Sequence, residues 1–467
     1  MTQRFVFVYT AVVVLVAASF VLADTAAFDL SGPRVEVTVS RAGKTLPVSE
    51  VPNLQAGDRL WLHPDLPPGQ SVHYLLVAAF LRGSTNPPPD NWFTKVETWN
   101  KQVREEGVVV TVPKDAQQAL LFLAPETGGD FSSLRSAVQG KPGAFVRASQ
   151  DLNQASLDRL RLQKYLDAAK EMAGADPKVL HDRSVLPARS LSIKLDQSCF
   201  DKPSQEQVPC QTQNTDQLVL DDQHSQSMVA TLSSGPASDL IGNVSSTPLA
   251  RGGYYSPYVG AVVDMARIMG SFRTPEYQYI PALAQPRSDE LNLKLNNPPS
   301  FRKPKSVLVI GLPAVEDAQL PPLRAVDSGQ ASCLQSSSLV LATEGAPLVF
   351  ATGYAHSFVL HIAGKSQSVD LPATADPARG GFVIDTRGLQ SAKLDPEFSG
   401  TLHGYWGFQA FDGPSFPLRS AHPARWTVAS PEPSALIVGR EQTLHLQSDT
   451  AACVEGVTAK DSRGKLL

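Results

Sequence analysis

Short apolar runs, broken at close intervals by proline and glycine, restrict this chain more than any other feature. SVLVIGLP, SSLVLAT, PLVFATG, SFVLHIAG, SVDLP and GFVIDTR follow one another between residues 306 and 387. Runs of this length suit strands, and the turn residues between them suit tight connections. Proline lacks the backbone donor a central strand needs, so it collects at strand ends and turns. The 37 prolines and 32 glycines follow no period, which excludes collagen and a continuous polyproline rod. The expected class is mainly β: tandem β-sandwich domains, immunoglobulin-like in general architecture, with a short helical insert or linker. The Cys–Trp–Cys pattern of true immunoglobulin domains is absent, so that likeness stays architectural.

The chain opens with a second strong signal. Arg4 gives a basic start, Phe5 to Ala23 is almost wholly apolar, and Val21-Leu22-Ala23 offers small residues before Asp24. That order reads as a signal peptide over residues 1–23, with Ala27 as a second cleavage position. The alternative is a retained anchor, because such a run nearly crosses a bilayer core of about 30 Å. Either way the expected location is secreted, periplasmic or cell-surface, with membrane contact only through an uncleaved leader.

With roughly 100–200 residues per domain, 467 residues make three or four domains. Residues 28–150 read as a β-sandwich, in which Val35, Val37 and Val39 alternate with polar residues. Residues 151–189 read as a helical segment and linker. Ser156 is the expected cap of SLDRLRLQKYLDAAKEMA, preceded by a short helix at DFSSLRSAV, and HDRSVLPAR is the linker. Residues 190–300 read as a mixed β domain with a short helix in GGYYSPYVGAVVDMARIMGSF, where Pro257 takes a first helical position. Residues 305–430 form the second expected β-sandwich, its longest segment, TLHGYWGFQAFDG, turning at Asp412-Gly413. Residues 431–467 either open a further β domain or complete a neighbouring sheet.

Four cysteines in an exported chain invite disulfides. Cys199 and Cys210 enclose a turn-rich stretch and form the natural local bridge. Cys333 and Cys453 pair only if the long segment between them returns. No CxxC or Cys/His cluster at zinc spacing occurs, and a formal charge of −4 without a basic face argues against nucleic acid.

Catalytic patterns are missing as well. None of the nine histidines forms HExxH, and His356 and His361 fall on opposite faces of a straight strand, which argues against a shared metal. There is no GxSxG elbow and no phosphate loop. No catalytic residue, cofactor or metal is therefore assigned. Carboxylates at Asp221-Asp222, Glu105-Glu106 and Asp412 do not by spacing alone make a glycosidase pair, although Asp221, Asp222 or Asp370 is able to touch a cation. The remaining candidates for ligand or partner contact are aromatic: Trp92 and Trp99 in the first domain, and Tyr405, Trp406 and Phe408 in one strand pair. The expectation is a non-enzymatic structural or adhesive protein of the cell envelope or an extracellular assembly, meeting protein partners or further copies of itself. The alternative is a carbohydrate-binding or glycoside hydrolase-like secreted protein, with Trp406 or Trp92 exposed to a glycan.

Overall fold

The structure is a computed structural model. It describes residues 30–65, 73–125, 131–171, 177–195, 197–203, 206–207, 210, 219–220, 277–287, 290–295, 298–299, 305–334, 339–363, 368–389, 397–419, 426–428, 443, 445–448 and 453. The expected leader, the expected helix after Pro257 and most of 431–467 lie outside the described residues.

The first strands are β1 (Leu30–Arg41), β2 (Lys44–Pro47), β3 (Arg59–Asp65), β4 (Tyr74–Leu81), β5 (Phe93–Glu97), β6 (Val108–Thr111) and β7 (Gln118–Pro125). Then come β8 (Ile193–Lys194), β9 (Val219–Leu220), β10 (Tyr277–Arg287), β11 (Glu290–Leu295) and β12 (Lys305–Gly311). The later strands are β13 (Arg324–Ala325), β14 (Ser332–Cys333), β15 (Val340–Glu344), β16 (Ala355–Ile362), β17 (Val369–Asp376) and β18 (Gly381–Ile384). They continue as β19 (Glu397–Trp406), β20 (Gln409–Arg419), β21 (Trp426–Val428) and β22 (Leu446–Ser448). The helices are α1 (Lys101–Glu106), α2 (Phe131–Gly140), α3 (Pro142–Glu171), α4 (Pro177–Leu191) and α5 (Pro347–Ala351).

A ten-stranded sheet runs β5-β4-β7-β12-β10-β11-β1-β3-β6, with β2 paired to β1. All its pairs are antiparallel except β10 with β12. Val35, Val37 and Val39 are 0% exposed, as their alternation predicts. They share a core with Leu76, Ala78 and Phe80 from the far side of the sheet, so the sheet curves over its own face. The alternate residues Leu75, Val77, Ala79 and Leu81 face the other way, against α2 and the first half of α3. Burial on both faces explains why β4, β7 and β12 are continuous apolar runs.

This sheet draws on distant parts of the chain. Strands from 277–295 and 305–311, expected in two later domains, pair with β1 and β7. Pairing partners are not encoded in a strand's own pattern, so consecutive segmentation misplaced them.

The eight-stranded sheet runs β13-β15-β18-β17-β16-β19-β20-β14, and only β14 with β20 is parallel. β13 also approaches β20, so this sheet curls toward closure. Ten and eight strands in two curved, near-barrel sheets make a mainly β, multi-strand architecture. PLVFATG, expected as a strand, holds α5 instead; Pro347 suits a first helical position, and a short apolar run fits either state. SLSIKL supplies only β8, because Leu191 ends α4.

Helix α3 joins the two sheets. Its 30 residues span about 45 Å. Phe145, Leu152 and Ala155 pack on the first sheet; Leu157, Leu162 and Tyr165 pack on the second. The helix begins at Pro142, well before the expected cap at Ser156. Ser156 instead pegs helix to sheet: its hydroxyl donates to Leu152 O at 2.7 Å and accepts from Ala284 N at 3.1 Å. HDRSVLPAR, expected as a linker, belongs to α4, which carries Pro187 in its interior.

Asp151 on α3 is pushed up to about 6, chiefly by burial, which nearby Arg147 only partly offsets. In the fold it keeps a proton that the unfolded chain releases around 3.8. Its contribution is therefore most favourable at low pH and declines as pH rises toward about 6. Asp151→Asn is expected to raise stability at pH 7.5 by up to about 3 kcal/mol and to change it little near pH 3. Urea midpoints at the two pH values check this; equal effects at both would contradict it.

Both disulfides are formed, Cys199–Cys210 and Cys333–Cys453, with Cα separations of 5.6 and 5.5 Å. The second ties β14 to the chain beyond β22, which pairs with β21.

Candidate functional site

The outer face of the second sheet concentrates the polar chemistry of the described residues. Phe358, Leu360 and Ile362 of β16 point into the core, which leaves Val359 and His361 outside. On β19 the outward set is Thr401, His403 and Tyr405, and on β20 it includes Asp412 and Ser415.

Two bulges set the register of this face. On β16 the pairing shifts between His356 and Val359, and Ser357 has φ +54°. The extra residue inverts the alternation, so His356 and His361 both face outward, contrary to the straight-strand expectation. On β20 the pairing shifts from Thr401↔Ser415 to His403↔Asp412. Asp412-Gly413, expected as the hairpin turn, is this second bulge. The turn itself is Gly407-Phe408, with Trp406 paired to Gln409 and Gly407 at φ +58°.

The register places acids beside histidines. His361 Nδ1 lies 2.6 Å from Asp370 Oδ1, and His403 Nδ1 lies 2.6 Å from Asp412 Oδ1. The two imidazoles are diagonal neighbours, with ring centres 5.6 Å apart and planes at 72°. Thr401 and Ser415 share a hydroxyl bond of 2.6 Å beside them. At the hairpin end, His356 stacks on Tyr405 at 5.7 Å, and Lys44 Nζ sits 5.4 Å from the same ring.

The aromatic candidates separate into three settings. Tyr405 is 37% exposed and belongs to the outer face. Trp406 is 6% exposed and packs edge-on against Tyr354 inside the second core. Phe408 crosses to the first sheet, packs on its core and carries the Arg41 guanidinium 4.7 Å from its ring centre. Arg41 is fixed there by two 2.8 Å bonds that it donates to Asp58. The hairpin tip is thus a joint between the sheets. Trp92 is 7% exposed, lies in the self-covered core and meets Arg82. Trp99 is half-buried, stacks on His73 and packs on the helix-covered face. The two indoles sit on opposite faces of one sheet and form no common platform.

The joint makes a sharp prediction. A Cβ on Gly407 meets Pro52 Cδ at 2.6 Å, in a backbone conformation that already disfavours side chains. Gly407→Ala is expected to cost about 2–4 kcal/mol. Gly43→Ala is the control, because Gly43 has φ +81° but nothing within 4 Å of an added Cβ. Denaturant midpoints of the two variants check this; equal losses would place Gly407 outside any packed joint.

In the sequence Asp370, Asp412 and His361 stand apart, and nothing there marks the row they form with His403. Only the strand register brings them together, with the β16 bulge setting where His361 lies relative to His403. Among the described residues, no cluster of three or more His, Cys, Asp or Glu stands ready to hold a metal ion.

These features define a disulfide-bonded, multidomain, β-rich protein built on two curved sheets. Comparison with protein families, curated proteins and solved structures finds no match to this chain. Among the described residues, no helix is long and apolar enough to cross a membrane.

Proposed function

We propose that this is an exported, non-enzymatic structural or adhesive protein of the cell envelope or an extracellular assembly. The observation that carries the reading is the pairing of all four cysteines. Disulfides persist in oxidising compartments and are rare in the cytosol of ordinary cells. The basic–apolar–small leader at residues 1–23 supports the same location. In this reading the curved sheets serve as rigid modules, immunoglobulin-like in the loose sense of packed antiparallel strands.

Two surfaces suit a protein partner or a further copy. One is the polar outer face around Tyr405. The other is β6, the last strand of the first sheet, where Val109 is 46% exposed; an edge strand offers backbone groups for another chain to extend. A glycan platform draws less support, because Trp92 and Trp406 keep their faces inside cores. Fractionating cells that make the full chain, then sizing the extracytoplasmic material, tests the proposal. The expected result is protein retained in the envelope or in particles larger than one chain. A freely diffusing monomer in every fraction contradicts it.

A further inference from the structure

We propose that His361 and His403 form a binding site for a divalent transition-metal ion of the zinc, nickel and copper class. The inference comes from the row Asp370–His361–His403–Asp412 and does not depend on the structural or adhesive reading.

Each histidine bonds a carboxylate through Nδ1 at 2.6 Å. A carboxylate only accepts, so Nδ1–H is the donor, and the neutral ring keeps its lone pair on Nε2. The row also sets direction. Asp370 lies on β17, beyond His361, and Asp412 lies on β20, beyond His403. The Nδ1 edges therefore face outward along the row. In an imidazole Nε2 lies on the opposite edge from Nδ1, so both lone pairs lean toward the space between the rings. Two imidazoles on one tetrahedral ion, with metal–nitrogen distances of about 2.0–2.1 Å, hold their ring centres roughly 5 Å apart. The observed 5.6 Å and crossed planes are close to that arrangement.

The surroundings fit as well. Histidine ligands commonly donate their second N–H to a carboxylate, which fixes tautomer and ring orientation. Here both do, and Asp370 and Asp412 are these positioning groups rather than ligands. This explains why no cluster of three ligands exists although two converge. Imidazole nitrogen favours zinc, copper and nickel over calcium or magnesium. The cysteines are all in disulfides, so no thiolate competes for such an ion. Both imidazoles are partly exposed, leaving the remaining coordination positions to water or to a donor from another molecule.

The test is zinc titration of folded, disulfide-bonded protein carrying no polyhistidine tag, at pH 7.5 against a chromogenic chelator. One equivalent is expected per chain. H361N and H403N are the informative variants: asparagine keeps an N–H donor near the Nδ1 position and removes Nε2. Each is expected to abolish the equivalent, with circular dichroism and Tm confirming the fold. D370N and D412N are expected to weaken binding about 10–100-fold. H181N is the control and leaves binding unchanged. No zinc binding by the parent protein overturns the proposal, as does binding that survives in either histidine variant.

Discussion

Arg161→Met is expected to cost about 3–5 kcal/mol, the loss typical when one member of a buried ion pair is removed. Arg161 is 1% exposed, in the second half of α3. Its Nε and Nη2 donate to Leu191 O at 3.0 and 2.8 Å, and Nη2 donates to Ser192 O at 2.9 Å. One guanidinium thus closes the carbonyl end of α4. Its Nη1 lies 3.4 Å from Asp158 Oδ1, on a carboxylate that is itself buried. Methionine fills the volume but donates to neither carbonyl, and it takes this guanidinium away from the buried Asp158 carboxylate, which Gln154 Nε2 also meets at 2.9 Å. A denaturant midpoint lowered by that amount, with far-UV spectra of the folded state unchanged, is the expected result. A loss under about 1 kcal/mol would mean that α4 is not held by this contact.

Breaking the longer disulfide is the second large effect. Cys333 and Cys453 are separated by 120 positions, against 11 for Cys199 and Cys210. The chain-entropy model gives about 5 kcal/mol for closing the long loop and about 3 kcal/mol for the short one. Cys333→Ser with Cys453→Ser is therefore expected to be the more damaging pair of substitutions. It also frees the segment bonded at Cys453 from β14. Thermal unfolding of the two double-serine variants, compared with the parent, checks the order. A larger loss from the short loop would show that native-state contacts, not chain entropy, dominate here.

Local features were legible in the sequence where one face of an element meets one core. Val35, Val37 and Val39 alternate and are fully buried, and FSSLRSAV of the expected short helix lies within α2. The Cys199–Cys210 bridge follows from a short, turn-rich loop between two cysteines of a chain read as exported. Features built from two environments were not legible. The α3 helix buries different sides at its two ends, so no single apolar stripe marks its start at Pro142. Asp412-Gly413 has turn chemistry, yet Gly407 supplies the turn, at φ +58° and packed closely against Pro52. The aromatic strand pair looked like a contact surface and partly is one, but between the two sheets of the same chain. The His–Asp row is assembled from pairings across four strands, which no strand's own pattern encodes.

Export into an oxidising compartment is the central functional proposal. The most direct measurement is intact mass of the native chain from each cell fraction, alkylated before and after reduction. The expected result is extracytoplasmic protein whose leader is removed before Asp24 or after Ala27. That protein takes up no alkylating agent until it is reduced and then four equivalents. A full-length chain in the cytoplasm, alkylated at all four cysteines without reduction, would contradict it.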